Sequence, residues 1–184
     1  FNADNGHMIT KKIEGTLLAD IFTDSSDRSL LTAYVAQLHE ALPTCDRNYP
    51  LKELLEIYGS VESRYPEKSN EQSFSFRSCH NDLNPWNVIV TQSSWETIDW
   101  EFVGNHDPLF DLVTLHQGLS LPTEELFELC PDLDPKTTRA RIKANIKNYW
   151  LRESGWAKYQ IKQGNDREEI RTQLENAQVK VDAL

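Results

Sequence analysis

The stretch SCHNDLNPWNVIV, residues 78–90, constrains this chain more than any other. It places His80, Asp82, Asn84 and Asn87 close together and then runs straight into β-branched residues. Such a cluster is either a decorated surface turn or the centre of a site. Asp82 and Asn87 are five positions apart, and the Pro85-Trp86 turn between them brings their side chains round to one side. The segments NVIVT and SWETIDW, joined by Gln92 and Ser93, are predicted to form a β-hairpin. A hairpin of that length returns Asp99, twelve positions after Asn87, beside it. One carboxylate and one amide oxygen make a hard-oxygen set suited to Mg2+, which keeps waters and takes further ligands from phosphates. Asp82 then stands free to accept a hydrogen bond from a substrate hydroxyl, the division of labour that phosphoryl transfer requires.

The surrounding pattern is mostly helical. SDRSLLTAYVAQLHEALP carries an apolar stripe at Leu30, Leu31, Tyr34, Val35, Leu38 and Leu42, with Ser26 or Asp27 as N-cap and Pro43 as the stop. YPLKELLEIYGSVESRYP is a second amphipathic helix ending at Pro66. After Asp107 the helical pattern persists to the C-terminus with brief breaks. Residues 6–15 alternate and end at Gly15, so they are predicted to be a strand followed by a linker. The fold class expected is α+β, mostly helical, with a small β-hairpin carrying the odd loop.

Bulk properties exclude several classes. At 39% hydrophobic and 26% charged residues the chain is globular, and no apolar run approaches the length of a membrane span. A formal net charge of −10 argues against nucleic acid as a partner and suits a small cationic substrate. Cys45, Cys79 and Cys130, with no CxxC spacing, point to reduced structural thiols in the cytoplasm. His39 and His116 lie on apolar helical faces and are expected to be satisfied core histidines. The chain begins with Phe1 rather than Met, which is expected of a piece cut from something larger.

The D-L-x-x-x-N spacing led by a histidine follows the protein-kinase catalytic loop, with Asn81 where that loop has arginine. CHNDLNPWNVIV followed by TIDWEFVGNHDPLFDLVTL closely resembles the superfamily of choline/ethanolamine kinases, thiamine kinases and aminoglycoside phosphotransferases. Carried over, the resemblance implies Asp82 as catalytic base and Asn87 and Asp99 as Mg2+ ligands. It implies His80 as a brace of the loop and Asp111 as its buttress. It also implies the larger, C-terminal lobe of a protein-kinase-like fold over residues 16–184, with residues 1–15 as the last strand and hinge of the small lobe. Lys11, Lys12 and Ile13 would then offer backbone groups to the adenine of ATP, with Ile98 at the same nucleotide site. No G-x-G and no V-A-I-K-like segment occurs, so the small lobe is expected to lie outside these residues.

The family phosphorylates hydroxyls of small amines. Trp156 and Tyr159, three apart on a helix, resemble the aromatic cage of choline kinases, or else they are simply core. Glu101 adds charge complementarity, and Phe102 stands where that branch often has tyrosine. The reading is an ATP- and Mg2+-dependent kinase of choline- or ethanolamine-like alcohols. Thiamine kinase and aminoglycoside phosphotransferase are its rivals. A non-catalytic remnant that self-associates through the face left by an absent lobe is the alternative of another class.

Overall fold

The computed structural model describes residues 11–59, 76–130 and 135–183, with only the backbone of residues 135–138. Residues 11–14 have no regular structure. The expected strand at 6–15 therefore lies partly outside the described residues and is absent where it can be seen. The first strand among the described residues is instead β1, Thr16–Leu17. It pairs antiparallel with β3, Val88–Val90, which pairs in turn with β4, Trp95–Thr97. The β3–β4 pair is the expected hairpin, with Val88 opposite Thr97 and Val90 opposite Trp95. Its turn is closed by Thr91, whose N–H donates to the Ser94 carbonyl (2.8 Å) and whose hydroxyl accepts from the Ser94 N–H (3.0 Å).

A second, two-stranded sheet pairs β2, Arg77–Cys79, with β5, Gly104–His106. Neither strand carries a β-branched residue, so no propensity announces them. Side chains set this pairing. The Ser78 hydroxyl donates to the Pro43 carbonyl (2.7 Å) and accepts from the Cys45 N–H (2.9 Å). Asn81 Nδ2 donates to the carbonyls of Cys79 (3.1 Å), Phe102 (3.0 Å) and Gly104 (3.0 Å). The asparagine that stands in place of the kinase arginine thus ties the start of the loop to the segment following Asp99.

Seven α-helices occur among the described residues. After the single turn α1, Leu18–Ile21, comes α2, Ser29–Ala41, where Asp27 Oδ1 accepts from the Ser29 N–H (2.9 Å), Pro43 follows the last turn, and the flanking residue is Arg28. Its buried face is Leu31, Tyr34, Val35 and His39; Leu30, read as part of the apolar stripe, is 48% exposed. The second predicted helix is α3, Leu51–Ile57, and its expected end at Pro66 lies outside the described residues. Helix α4, Leu109–Gly118, is buried from Phe110 through Gln117 and forms the centre of the fold. Around it lie the short α5, Thr123–Glu128, the long α6, Pro135–Lys162, and α7, Glu168–Asp182, which packs on α6.

Two features seat the 78–90 loop on α4. At Gly118 a Cβ would stand 2.4 Å from Pro85 Cδ, so only glycine lets the helix approach the turn this closely. At the other end, the Asp111 carboxylate, 0% exposed, accepts from the His80 N–H at Oδ2 (2.8 Å) and the Asn81 N–H at Oδ1 (2.7 Å). Asn81 sits at φ 67°, a left-handed conformation that asparagine tolerates, and the two successive N–H groups converge on one anion. His39 Nε2 meets Oδ2 at 2.8 Å.

Burial pushes the Asp111 carboxyl up, but the hydrogen bond from His39, joined by that from the His80 N–H, outweighs it and holds the group below its ordinary value. A depressed carboxyl stabilises the fold fully above its unfolded value of about 4 and loses that contribution as pH falls through its folded value. Asp111→Asn should therefore cost roughly 3 kcal/mol at pH 7, because it leaves buried N–H donors short of an acceptor. Urea melts at pH 7 and pH 3 check this; the gap between wild type and variant should shrink at the lower pH.

Candidate active site

The loop leaves β2 at His80 and reaches β3 through a short 3-10 turn at Pro85–Asn87. His80 is wholly buried; its Nδ1 accepts from the Asp82 N–H (3.2 Å) and its Nε2 donates to the Ile98 carbonyl (3.0 Å). That tautomer gives each ring nitrogen one partner and leaves the imidazole none for a substrate. Asn87 is fastened to the returning strand by the Ile98 N–H, which donates to its carbonyl (3.0 Å). The backbone groups of Ile98 are thereby spent on His80 and Asn87.

Asp82 is held from three directions. Oδ1 accepts from Asn84 Nδ2 (2.8 Å) and Arg152 Nη2 (2.9 Å), and Oδ2 accepts from Asn87 Nδ2 (3.2 Å). Asn87 Nδ2 also donates to the Asp82 carbonyl (2.9 Å), which turns its Oδ1 away from Asp82. Asp99 follows at φ 64°, and no described residue donates to its exposed carboxylate.

A cleft of about 280 Å³ collects these groups. Among the residues singled out from the sequence, Asp82, Asn87, Asp99, Glu101, Phe102 and Trp156 line it. Tyr159 does not; its ring packs against Tyr58, 5.7 Å between centroids, and Tyr58 lines the cleft in its place. The residue three past Trp156 is thus turned behind the wall rather than into the cavity. Lys11, Lys12 and Ile13 precede β1 and are not among the lining residues, and Lys12 pairs with Glu14 at the surface (2.8 Å). His80 and Asp111 lie beneath the loop, as described.

Sequence reasoning missed Tyr58, Arg152 and Glu153, all of which line the cleft. Arg152 and Glu153 stand four and three positions before Trp156, on the same helical face, and that spacing was the available signal. Arg152 is 5% exposed. Burial opposes its charge, yet Tyr49, Asp82 and Glu153 hold the guanidinium above its ordinary value. Burial pushes the Glu153 carboxyl up, and Arg152 only partly offsets this. Four acidic side chains, Asp82, Asp99, Glu101 and Glu153, thus face one arginine in the cleft, which favours cations.

His39, Cys79 and Asp111 bring ligand atoms within 4.8 Å of one another beneath the loop. Both Asp111 oxygens are already taken, and burial pushes the Cys79 thiol well up, so this trio is a hydrogen-bonded core. The three cysteines are free. His39 and His116 are buried, and burial pushes the His116 imidazole down to about 4, so it stays neutral at neutral pH. No helix among the described residues is long and apolar enough to cross a membrane.

Known proteins share this fold. The fold is similar to that of a choline/ethanolamine kinase family protein from Mesorhizobium loti, with TM-score 0.66 and 19% identity over 85% of this chain and 60% of the other. Choline kinase LicA from Streptococcus pneumoniae gives TM-score 0.60 and 20% identity over 85% of this chain and 63% of that one. At such identities the likeness establishes the fold, which is α+β and mostly helical. Protein LicA of Haemophilus influenzae is 44% identical over 48 residues, 26% of this chain and 18% of that protein. The chain therefore spans less than two thirds of the length of each of these relatives. The sequence model described as the phosphotransferase enzyme family matches residues 15–161, most of the chain, and with the loop, the hairpin and the helical lobe in place the chain belongs to that family.

Proposed function

We propose that the protein transfers the γ-phosphoryl group of ATP to a hydroxyl of a small amino alcohol, choline or ethanolamine in kind. The observation that carries this reading is a single cleft lined by Asp82, Asn87 and Asp99 together with Trp156 and Tyr58. The neighbours supply the precedent, since LicA has been crystallised with AMP.

Asn87 and Asp99 fit a Mg2+ ion by the chemistry of their donors. Asn87 spends its Nδ2 on Asp82, which leaves Oδ1 as a ligand, and Asp99 is an unengaged carboxylate on the same wall. When bound, the ion would neutralise charge on the transferring phosphoryl group. Asp82 Oδ2, the oxygen with one long hydrogen bond, accepts the hydrogen of the acceptor hydroxyl and aims its oxygen at phosphorus. His80 and Asp111 act through the loop backbone, fixing where Asp82 stands. The ammonium group of the acceptor rests on Trp156, Tyr58 and Phe102, with Tyr159 backing Tyr58 and Glu101 supplying negative charge. Residues Lys11–Ile13 and Ile98 form the adenine side of the nucleotide site in this reading.

A larger acceptor is the second reading, and one feature favours it. A hollow of about 730 Å³ opens beside the cleft and shares Asn84, Trp86, Glu153 and Gln173 with it. That space would seat the further rings of an aminoglycoside, or the second ring of thiamine.

Two variants test the assignment. Asp82→Asn should lower kcat by about 10³-fold with nearly unchanged ATP KM; a variant that keeps wild-type turnover removes Asp82 from the role of base. Trp156→Ala should raise the KM for choline roughly tenfold, the loss of a cation–π contact of about 1 kcal/mol or more. The ATP KM should not move. An unchanged choline KM would make Trp156 a packing residue, and a steep preference for an aminoglycoside across an acceptor panel would select the larger substrate.

A further inference from the structure

Arg152 is a cost to the fold unless it does something that an apolar residue cannot, because a buried ion pair is seldom more stable than well-packed hydrophobic side chains. Its guanidinium lies over the rings of Phe110 (5.5 Å) and Tyr149 (5.7 Å), so the apolar setting that would suit methionine or leucine is already there. Each edge of the fork is used. Nη1 donates to the Asn81 carbonyl and to the Tyr49 hydroxyl (3.2 Å), Nη2 to Asp82 Oδ1 (2.9 Å) and Glu153 Oε1 (3.0 Å), and Nε to Glu153 Oε1 (3.2 Å). The other Glu153 oxygen accepts from Gln173 Nε2 of α7 (2.8 Å).

We propose that Arg152 is the positioning residue of the reaction: it engages Oδ1 of Asp82 so that Oδ2 is the oxygen presented to the acceptor, and Glu153, clamped by α7, holds the guanidinium in register. The inference rests on the reading of Asp82 as the group that meets the acceptor hydroxyl. Asp82 has two chemically equivalent oxygens, and rotation of the carboxylate would exchange them. Two short donors on Oδ1, from Asn84 and Arg152, against one long donor on Oδ2 break that equivalence. The same guanidinium grips the carbonyl of Asn81, so base and backbone of the loop are registered by one rigid plane. A lysine would keep the charge but supplies no planar fork, and it cannot span the Asn81 carbonyl and the Asp82 carboxylate in fixed geometry.

The test compares wild type, Arg152→Lys and Glu153→Gln by steady-state kinetics with choline and Mg2+-ATP, together with thermal melts and the arginine side-chain 15N resonances. Arg152→Lys should lose about 100-fold in kcat, the cost of a misplacement of the order of 1 Å, with the KM for acceptor and ATP within about threefold. Glu153→Gln, which keeps shape and the contact to Gln173, should lose about tenfold in kcat and serves if the lysine variant fails to fold. Wild-type kcat in both variants, or a loss that appears only in KM, overturns the proposal. The guanidinium resonances report the coupling independently of turnover: they should shift in Asp82→Asn, and an unmoved signal also overturns it. A wild-type protein with no phosphoryl transfer to any acceptor would defeat the reading of function, while these resonances still decide whether Arg152 is committed to Asp82.

Discussion

The carboxylate of Asp111 has no access to solvent and accepts three hydrogen bonds, two from consecutive backbone N–H groups of the loop and one from His39 on α2. A buried charge is tolerated only when its lone pairs are filled, and here the anion and the groups that fill it belong to three separated parts of the chain. Helix α4 carries the anion, the loop at 80–81 supplies the donors, and α2 closes the third side. Once these are joined the loop has one path. Pro85 must pass Gly118 with no room for a methyl group, and Asn87 must meet the backbone of Ile98. Asp82, Asn87 and Asp99 then face one cleft because the backbone beneath them has no alternative. Residues with no reach into the cleft thus determine what the cleft contains.

Polar side chains also do the work that a larger sheet would do elsewhere. The two sheets hold five short strands among the described residues, too few and too brief to stand alone. Asn81 gives its amide to three carbonyls, and Ser78 bridges Pro43 and Cys45, so the sheet edges near the site are closed by side chains. The left-handed conformations at Asn81 and Asp99 fall at the two turns that aim the acidic groups, where strained backbone serves function. Buried polar networks of this kind favour one arrangement over its competitors, because each lost partner is costly in a low-dielectric interior.

Much of this was legible in the chain because it is local. The hairpin, the proline stop after α2 and the long C-terminal helices follow from periodicity and turn chemistry, and the loop follows from the spacing of Asp82, Asn87 and Asp99. What escaped reading depends on distant partners. His39 reads as a satisfied core histidine and is one, yet its partner lies 72 positions away. Sheet β2–β5 is written in side-chain hydrogen bonds, and its own residues show no strand preference. An adjacent Arg-Glu pair on a helix normally signals a solvated face, so the spacing that sets Arg152 and Glu153 on the face of Trp156 did not announce their burial. Leu30 and Tyr159 show the converse error, since helical spacing says which residues share a face and not which neighbour that face meets.

Every role assigned to the cleft depends on phosphoryl transfer taking place through it. The most direct measurement is 31P NMR of the protein incubated with Mg2+, ATP and choline. Growth of a phosphomonoester resonance matched by equal formation of ADP is the predicted result. ATP that stays intact, or that yields only ADP and inorganic phosphate with choline, ethanolamine, thiamine and an aminoglycoside alike, would contradict it.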